Sequence, residues 1–247
     1  MDLSSPFAVV ADIHGNIRAL EAVLEDIKNR GINHILNIGD SLYGPLAPRE
    51  TYERIMQYNM ISISGNEDRI IWENDHDNET LKFVRGSLDN NAIEWLRNLP
   101  KIRELDIGLV MFHGTPRSDE KYLLQKVNAN GIQNRTAKGI SIILSDYSST
   151  LYLCAHDHCP GSIMLENGAL VVNPGSVGLQ AYTDDTPHPH KIENGSPHAR
   201  YAIISQDEAG WYVNFIIVEY DWEKAARMAD KNARPDWAFW LKKGLAE

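Results

Sequence analysis

Apolar positions along this chain alternate between a strand period and a helix period. Phe7 to Ala11 is a continuous apolar run and reads as a strand buried on both faces. Next, Asn16 offers a helix cap, and Ala19, Leu20, Val23, Leu24 and Ile27 form one stripe at helical spacing that Gly31 ends. A strand over 35–38, a helix over 50–58 after the Gly44-Pro45 turn and a strand over 60–64 follow. This β-α-β-α-β order predicts a partly parallel sheet with right-handed crossovers.

Residues 67–100 read as mainly helical, interrupted at 74–78 and at Gly86 and closed by Pro100. Strands are expected at about 101–106 and 108–112 around an Ile107-Gly108 turn, then two short helices within 115–149. Beyond 150 the chain turns strand-rich, over 151–154, 162–165, 169–172, 199–205 and 211–219, with Asn167-Gly168 as a hairpin signal. The stretch 183–197 carries Pro187, Pro189 and Pro197 beside His188 and His190, and reads as a surface loop inserted between strands. Residues 221–247 form a helical tail broken at Pro235, with Trp237, Phe239 and Trp240 available to dock. Neither repeats nor a long linker divide the chain. One domain over 1–247 is expected, its motif-bearing core at about 7–220.

Polar clusters interrupt the apolar pattern where strands end: Asp12-Ile13-His14, Gly39-Asp40, Gly65-Asn66-Glu67-Asp68, His113-Gly114 and His156-Asp157-His158. Asp and Asn are poor strand residues, and open α/β sheets gather ligands beyond the carboxyl ends of their strands. If the strands lie side by side, these clusters converge on one rim. Any one of them alone is an ordinary turn or helix cap. Their joint order and placement point to a metal site, and the mixture of carboxylate, amide and imidazole suits Mn, Fe or Zn better than an all-oxygen calcium cage.

Bulk properties narrow the partners. A net charge of −10 and a pI near 5.4 argue against broad electrostatic binding to nucleic acid or an anionic membrane. Bound divalent cations would still reverse the field locally. No run of 18 apolar residues and no basic leader precede the first strand, so a cytoplasmic protein without a membrane span is expected. Cys154 and Cys159 cannot make a disulfide framework.

The ordered series resembles the calcineurin-like metallophosphoesterases, particularly their small prokaryotic, phosphodiesterase-like branch. That pattern runs Asp-x-His, Gly-Asp, Gly-Asn-His-(Asp/Glu), His and Gly-His-x-His. Asn173-Pro174-Gly175-Ser176-Val177-Gly178, Gly44-Pro45 and Thr115-Pro116-Arg117 also look like features of the branch. The resemblance implies a four-layer αββα sandwich of two mixed β-sheets flanked by helices. It further implies two divalent metal ions, Mn first, with Fe, Zn, Ni or Co compatible. Asp12, His14 and His158 would hold one ion, Asn66, His113 and His156 the other, and Asp40 would bridge them. A hydroxide shared by the two would attack phosphorus in line. The implied substrate is a small phosphorylated molecule, a phosphodiester or nucleotide in preference. A phosphomonoesterase or protein phosphatase, and a non-catalytic scaffold of the same fold, are the alternatives. The apolar tail could bury on its own domain or support a homodimer.

Two departures stand out. Where the family has His after Gly-Asn, this chain has Glu67, followed by Asp68. An ionised Glu67 would repel phosphate, and could act as an acid only with a raised pKa. Ala155 replaces the usual Gly before His156. Asp40, Asn66, Glu67 and Asp68 are accordingly the candidate catalytic groups. Asn66, Arg117, Asn173, Gly175 and Ser176 are candidate substrate contacts; for the run from Asn173 to Gly178, a tight turn that orders neighbouring ligands is the competing reading.

Overall fold

Alternation along each strand builds three apolar layers, and these place the strand ends. The computed structural model describes residues 5–73, 77–106 and 108–246. Along the chain run β1 (Phe7–Val10), α1 (Ile17–Asn29), β2 (Ile35–Asn37), α2 (Pro48–Ile55), β3 (Ile61–Ser62), α3 (Asn66–Trp72), α4 (Glu79–Ser87) and α5 (Asn90–Asn98). Then come β4 (Ile102–Leu105), β5 (Leu109–Phe112), β6 (Gln125–Asn128), β7 (Gly131–Asn134), α6 (Ala137–Ile143), β8 (Leu151–Leu153), β9 (Gly161–Met164) and β10 (Leu170–Asn173). The last elements are β11 (Ala181–Asp184), β12 (His190–Glu193), β13 (Ala199–Asp207), β14 (Gly210–Val218), α7 (Trp222–Lys231) and α8 (Pro235–Lys243).

One sheet has the order β14-β13-β1-β2-β3, with β1, β2 and β3 parallel and β13 and β14 antiparallel. The other has the order β4-β5-β8-β10-β9, with β5, β8 and β10 parallel and the two outer strands antiparallel. Because side chains alternate across a strand, Phe7, Val9, Leu36 and Ile38 of the first sheet meet Leu109, Met111, Leu153 and Val172 of the second. Ala8 and Val10 face the other way, onto the Leu20, Val23, Leu24 and Ile27 stripe of α1 and the buried side of α7 and α8. Val110, Phe112, Tyr152 and Val171 turn outward onto Ile140 of α6. The result is the helix–sheet–sheet–helix sandwich that the resemblance implies.

Two segments differ from expectation. Within 115–149 the chain forms the β6–β7 hairpin and one helix, α6, instead of two helices. The turn explains it: Asn130 N donates to Asn128 Oδ1 at 2.8 Å, and Gly131 takes φ +96, so Asn130-Gly131 acts as a hairpin signal. The 183–197 stretch is largely a second hairpin, β11–β12, with Pro187 and Pro189 in its connection, where no ladder donor is needed. The expected helix break at 74–78 falls partly outside the described residues, as does Ile107 of the expected turn. Pro235 opens α8, a position that suits its missing N–H. Trp237 and Trp240 are buried within their own chain. Among the described residues no helix is long and apolar enough to cross a membrane.

Candidate metal centre

The three parallel strands of each sheet end on the same side. From the first sheet, β1 leads to Asp12 and His14, β2 to Asp40 and β3 to Asn66; from the second, β5 leads to His113 and β8 to His156 and His158. Backbone bonds lock the two rims together: Val177 N donates to Ala11 O and Gly178 N to Asp12 O, both at 2.9 Å. Asp12 and His14 donate their N–H groups to the carbonyls of Gly39 and Asp40, both at 3.0 Å. Left-handed backbone is rare in residues with a Cβ, yet Asp12, His14, Asp40, His156 and His158 all adopt it, at φ between 51 and 77. Ala233 is the one other such residue described. Strained conformations concentrate on the candidate ligands, as expected where surrounding bonds over-determine the chain.

Three imidazoles are aimed by their far nitrogens. Nδ1–H of His14 donates to Tyr43 O at 3.0 Å, that of His113 to Ile38 O at 2.7 Å and that of His158 to Leu179 O at 2.7 Å. A carbonyl can only accept, so each ring presents Nε2 to the cluster, the arrangement that orients a metal-ligating histidine. Nε2 of His14 and Nε2 of His158 then approach to 3.1 Å. His113 Nε2 lies 3.1 Å from Asp40 Oδ2 and 3.8 Å from Asp12 Oδ1, and His158 Nε2 lies 3.6 Å from Asp12 Oδ1. Asp12, His14 and His158 form one group that could hold an ion, and Asp40, His113 and His156 a second.

Buried polar atoms test whether cations fit. Both carboxylate oxygens of Asp12, Asn66 Oδ1 and His113 Nε2 lack aligned hydrogen-bond partners although they are buried. Leaving such atoms unmatched is costly, and lone pairs converging from carboxylates, an amide and imidazoles form a donor set for divalent cations. The residues present fit the group.

Electrostatics within the cluster are divided. Burial raises the Asp12 carboxyl to about 8. Burial also opposes ionisation of Asp40, but the neighbouring His113 outweighs it and holds Asp40 well below the usual carboxylate range. Burial pulls His113 and His14 down, yet adjacent carboxylates prevail: Asp40 lifts His113 to about 10, and Glu67 lifts His14 to about 9. Burial and the neighbouring His113 lower His156 to about 4, while burial and His14 push His158 well below its ordinary value. Burial raises Glu67, whose Oε2 stands 3.0 Å from His14 Nδ1.

Around this cluster opens a cleft of about 320 Å³, where His14, Asp40, Asn66, Glu67, His156 and His158 are reached from outside. Asn66 and Glu67 sit at the start of α3, and Glu67 N donates to Asp40 Oδ1 at 2.9 Å. Close approach makes this junction possible, since a Cβ on Gly65 would lie 2.1 Å from Asp40 Oδ1.

Other residues singled out in the sequence lie elsewhere. Asp68 is buried away from the cleft, accepting from Ser41 N at 2.8 Å and from Gly65 N at 3.2 Å, so it ties the Asp40 loop to α3. Arg117 is 73% exposed and pairs with Asp146 at 2.5 Å on the surface, so it contributes no cleft wall. Asn173, Gly175 and Ser176 are buried behind the ligand loops. Asn173 Nδ2 donates to Asp157 Oδ1 at 2.6 Å, and Ser176 Oγ donates to Asp12 O at 2.8 Å, which is the ordering role and not a substrate contact. The sequence reading missed Tyr43, Tyr182, Asp184, Arg234, Trp237 and Trp240, all of which line the cleft. Their one advance signal was the aromatic tail around Trp237.

A model of the calcineurin-like phosphoesterase superfamily domain matches residues 6–192. The chain belongs to that superfamily. Its phosphoesterase fold has relatives of nearly equal length. An uncharacterized protein of Methanocaldococcus jannaschii is 28% identical, over 95% of this chain and 96% of its own. A metallophosphoesterase from Sphaerobacter thermophilus has a similar structure, with a TM-score of 0.76 at 22% identity, covering 98% of this chain and 99% of that one. A hypothetical protein from Pyrococcus horikoshii gives 0.72 at 24% identity, covering 97% and 98%. As in the superfamily generally, the Asp and His clusters here could bind metal.

Proposed function

We propose that this cleft hydrolyses phosphate esters with two divalent cations, and that a phosphodiester or nucleotide is preferred over a monoester. One observation carries the reading: Asp40 stands between two sets of ligand atoms, grouped with His113 and His156 on one side and with His14 and Glu67 on the other. Asp12, His14 and His158 would hold one cation and Asn66, His113 and His156 the second, with Asp40 shared. Mn suits these donors, and Fe, Zn, Ni and Co are compatible. Bound there, the cations supply Lewis acidity toward water and the phosphoryl oxygens.

The chain's own groups do the rest. Asp40, whose carboxyl stays ionised, sets the negative field that draws cations in. The Tyr43, Ile38 and Leu179 carbonyls hold three imidazoles at fixed orientation, which removes reorganisation from the reaction. Tyr43, Tyr182, Trp237 and Trp240 wall the cleft and limit water around the ester. Glu67, whose pKa burial raises, can keep a proton on its carboxyl and give it to the departing oxygen, in place of the imidazole found in the wider family. Asp184 makes the cleft hostile to extra negative charge, and a diester carries less of it than a monoester near neutral pH, where the second phosphate ionisation lies.

The test is hydrolysis of bis(p-nitrophenyl) phosphate beside p-nitrophenyl phosphate, with Mn²⁺ and with chelator, using Asp40→Asn as the control. Chelator-sensitive diester turnover that Asp40→Asn abolishes is the expected result. Turnover of the monoester alone would overturn the diester preference, and turnover of neither the hydrolase reading.

A further inference from the structure

The C-terminal tail supplies one wall of the cleft, and with it a charge. Arg234, just ahead of α8, lines the cavity beside Glu67 and Trp237. It is the sole Arg or Lys among the described lining residues, which also include the carboxyls of Asp40, Glu67 and Asp184. Its guanidinium is held on three sides. Nε donates to Asp236 Oδ1 at 2.9 Å, Nη2 to Asp236 Oδ2 at 2.6 Å and Nη1 to Thr80 Oγ1. The group lies 5.5 Å from the Trp237 ring centroid, and Trp237 meets the His14 ring edge-on at 5.8 Å. One tryptophan ring therefore separates the guanidinium from a candidate ligand of the cluster. A guanidinium has five N–H groups, and these bonds use three, which leaves one hydrogen on each Nη.

We propose that Arg234 is a substrate-binding residue that donates to a non-bridging phosphoryl oxygen of the bound ester. The assignment rests on the phosphoester reading of the same cleft. Three considerations support it. Asp184 opposes an anion, and position 67 lacks an imidazole that could offset it. A fixed guanidinium makes strong charge-assisted bonds to phosphate, and little rotamer freedom is left to lose on binding. Asp236, Thr80 and Trp237 do the fixing, so Arg234 meets the ester already oriented. Arg234 also lies beyond residues 6–192, the segment that the superfamily model covers, so the tail adds to the site a group from outside that segment.

The experiment is calorimetric titration of inorganic phosphate into Mn²⁺-loaded protein, for wild type, Arg234→Gln, Arg234→Lys and Asp236→Asn. Bound Mn, thermal midpoint, and kcat and KM for bis(p-nitrophenyl) phosphate are measured alongside. Arg234→Gln should weaken phosphate binding and raise KM by about 10- to 100-fold, with Mn content unchanged. Arg234→Lys should recover part of the loss, keeping the charge but not the fork. Asp236→Asn frees the guanidinium from its counter-ion and should bind phosphate at least as tightly as wild type. Phosphate affinity in Arg234→Gln within about twofold of wild type would overturn the assignment. So would an Asp236→Asn defect equal to that of Arg234→Gln, which would mark the pair as a structural clasp. Loss of Mn from Arg234→Gln, or no phosphate binding by wild type, would overturn it as well. Arg234-dependent phosphate binding without turnover of any ester would leave the assignment standing while the hydrolase reading fails.

Discussion

Ser176 donates its hydroxyl hydrogen to the carbonyl oxygen of Asp12 at 2.8 Å, joining the turn after β10 to the first ligand loop. The same Oγ accepts from Leu179 N at 2.9 Å, and Leu179 O in turn receives His158 Nδ1–H. A single hydroxyl thus connects loops that carry ligands from both sheets.

Ser176→Ala should therefore act on the fold and on cation affinity together. Asp12 O keeps its bond from Gly178 N, but Leu179 N loses its acceptor in a buried setting. The expected cost is about 1–3 kcal/mol of stability. Cation affinity should fall by about 10- to 100-fold, as when an outer partner of a metal ligand is removed. Denaturant titration and calorimetry read the two effects. Unchanged cation affinity would show that the loop holds its shape without this bond.

Asp40→Asn removes one charge at nearly constant volume from the residue grouped with His113 and His156 and also with His14 and Glu67, the carboxylate proposed as shared. The variant should lose at least one of the two proposed ions, as read by elemental analysis of dialysed protein. In wild type, chelation should lower the thermal midpoint, because a ligand bound only by the native state stabilises it by about 2.7 kcal/mol at a hundred times its dissociation constant. Full occupancy in Asp40→Asn would rule out the shared role.

Legibility in the sequence followed the physics of each feature. β1, β2, β5 and β8 were visible because buried strands need unbroken apolar runs, and the polar clusters stood out against those runs. The β6–β7 hairpin was not. Gln125, Lys126, Val127 and Asn128 are all partly or largely exposed, so no hydrophobic alternation marks them. Direction within a cluster was equally hidden. Glu67 and Asp68 are neighbours in one motif, yet the helical turn sends Glu67 to the cleft and Asp68 beneath it. Arg234 was missed for another reason: its place in the cleft wall depends on how α8 docks, which no local period encodes.

Acidity should separate the cation-free protein from the loaded one. Asp12 at about 8, His14 at about 9 and His113 at about 10 each retain a proton near neutral pH in the cation-free site. A cation must displace such protons, so binding should release them, and affinity should rise with pH up to about 10. Both histidines have folded pKa values above their unfolded ones. Their stabilisation is complete below the unfolded value and is lost as pH rises through the folded value. Asp12 has the same sign, because its raised pKa makes ionisation unfavourable in the fold. These three groups should thus cost chelated protein thermal stability from about pH 4, where Asp12 begins to contribute, to about pH 10, while loaded protein is spared. Calorimetry in two buffers of different ionisation enthalpy counts the protons; a buffer-independent enthalpy would contradict the scheme.

Two glycines should respond to alanine with opposite signs. At Gly65 the new methyl would lie 2.1 Å from Asp40 Oδ1 and 2.6 Å from Asp40 N, distances that real Cβ atoms do not occupy. The Asp40 loop would have to move, and with it the carboxylate grouped with His113 and His156 and with His14 and Glu67. Gly65→Ala should consequently lose cation binding along with stability. Gly86 lies inside α4, where an added Cβ meets nothing within 4 Å and the backbone is right-handed. There alanine restricts the unfolded chain and favours helix, so Gly86→Ala should stabilise by about 0.4–1 kcal/mol with cation affinity unchanged. Denaturant titration of both variants, with and without Mn²⁺, reads each sign. A Gly65→Ala protein that still binds two ions would show that the Asp40 loop tolerates displacement, and the close packing against α3 would then not be what positions that carboxylate.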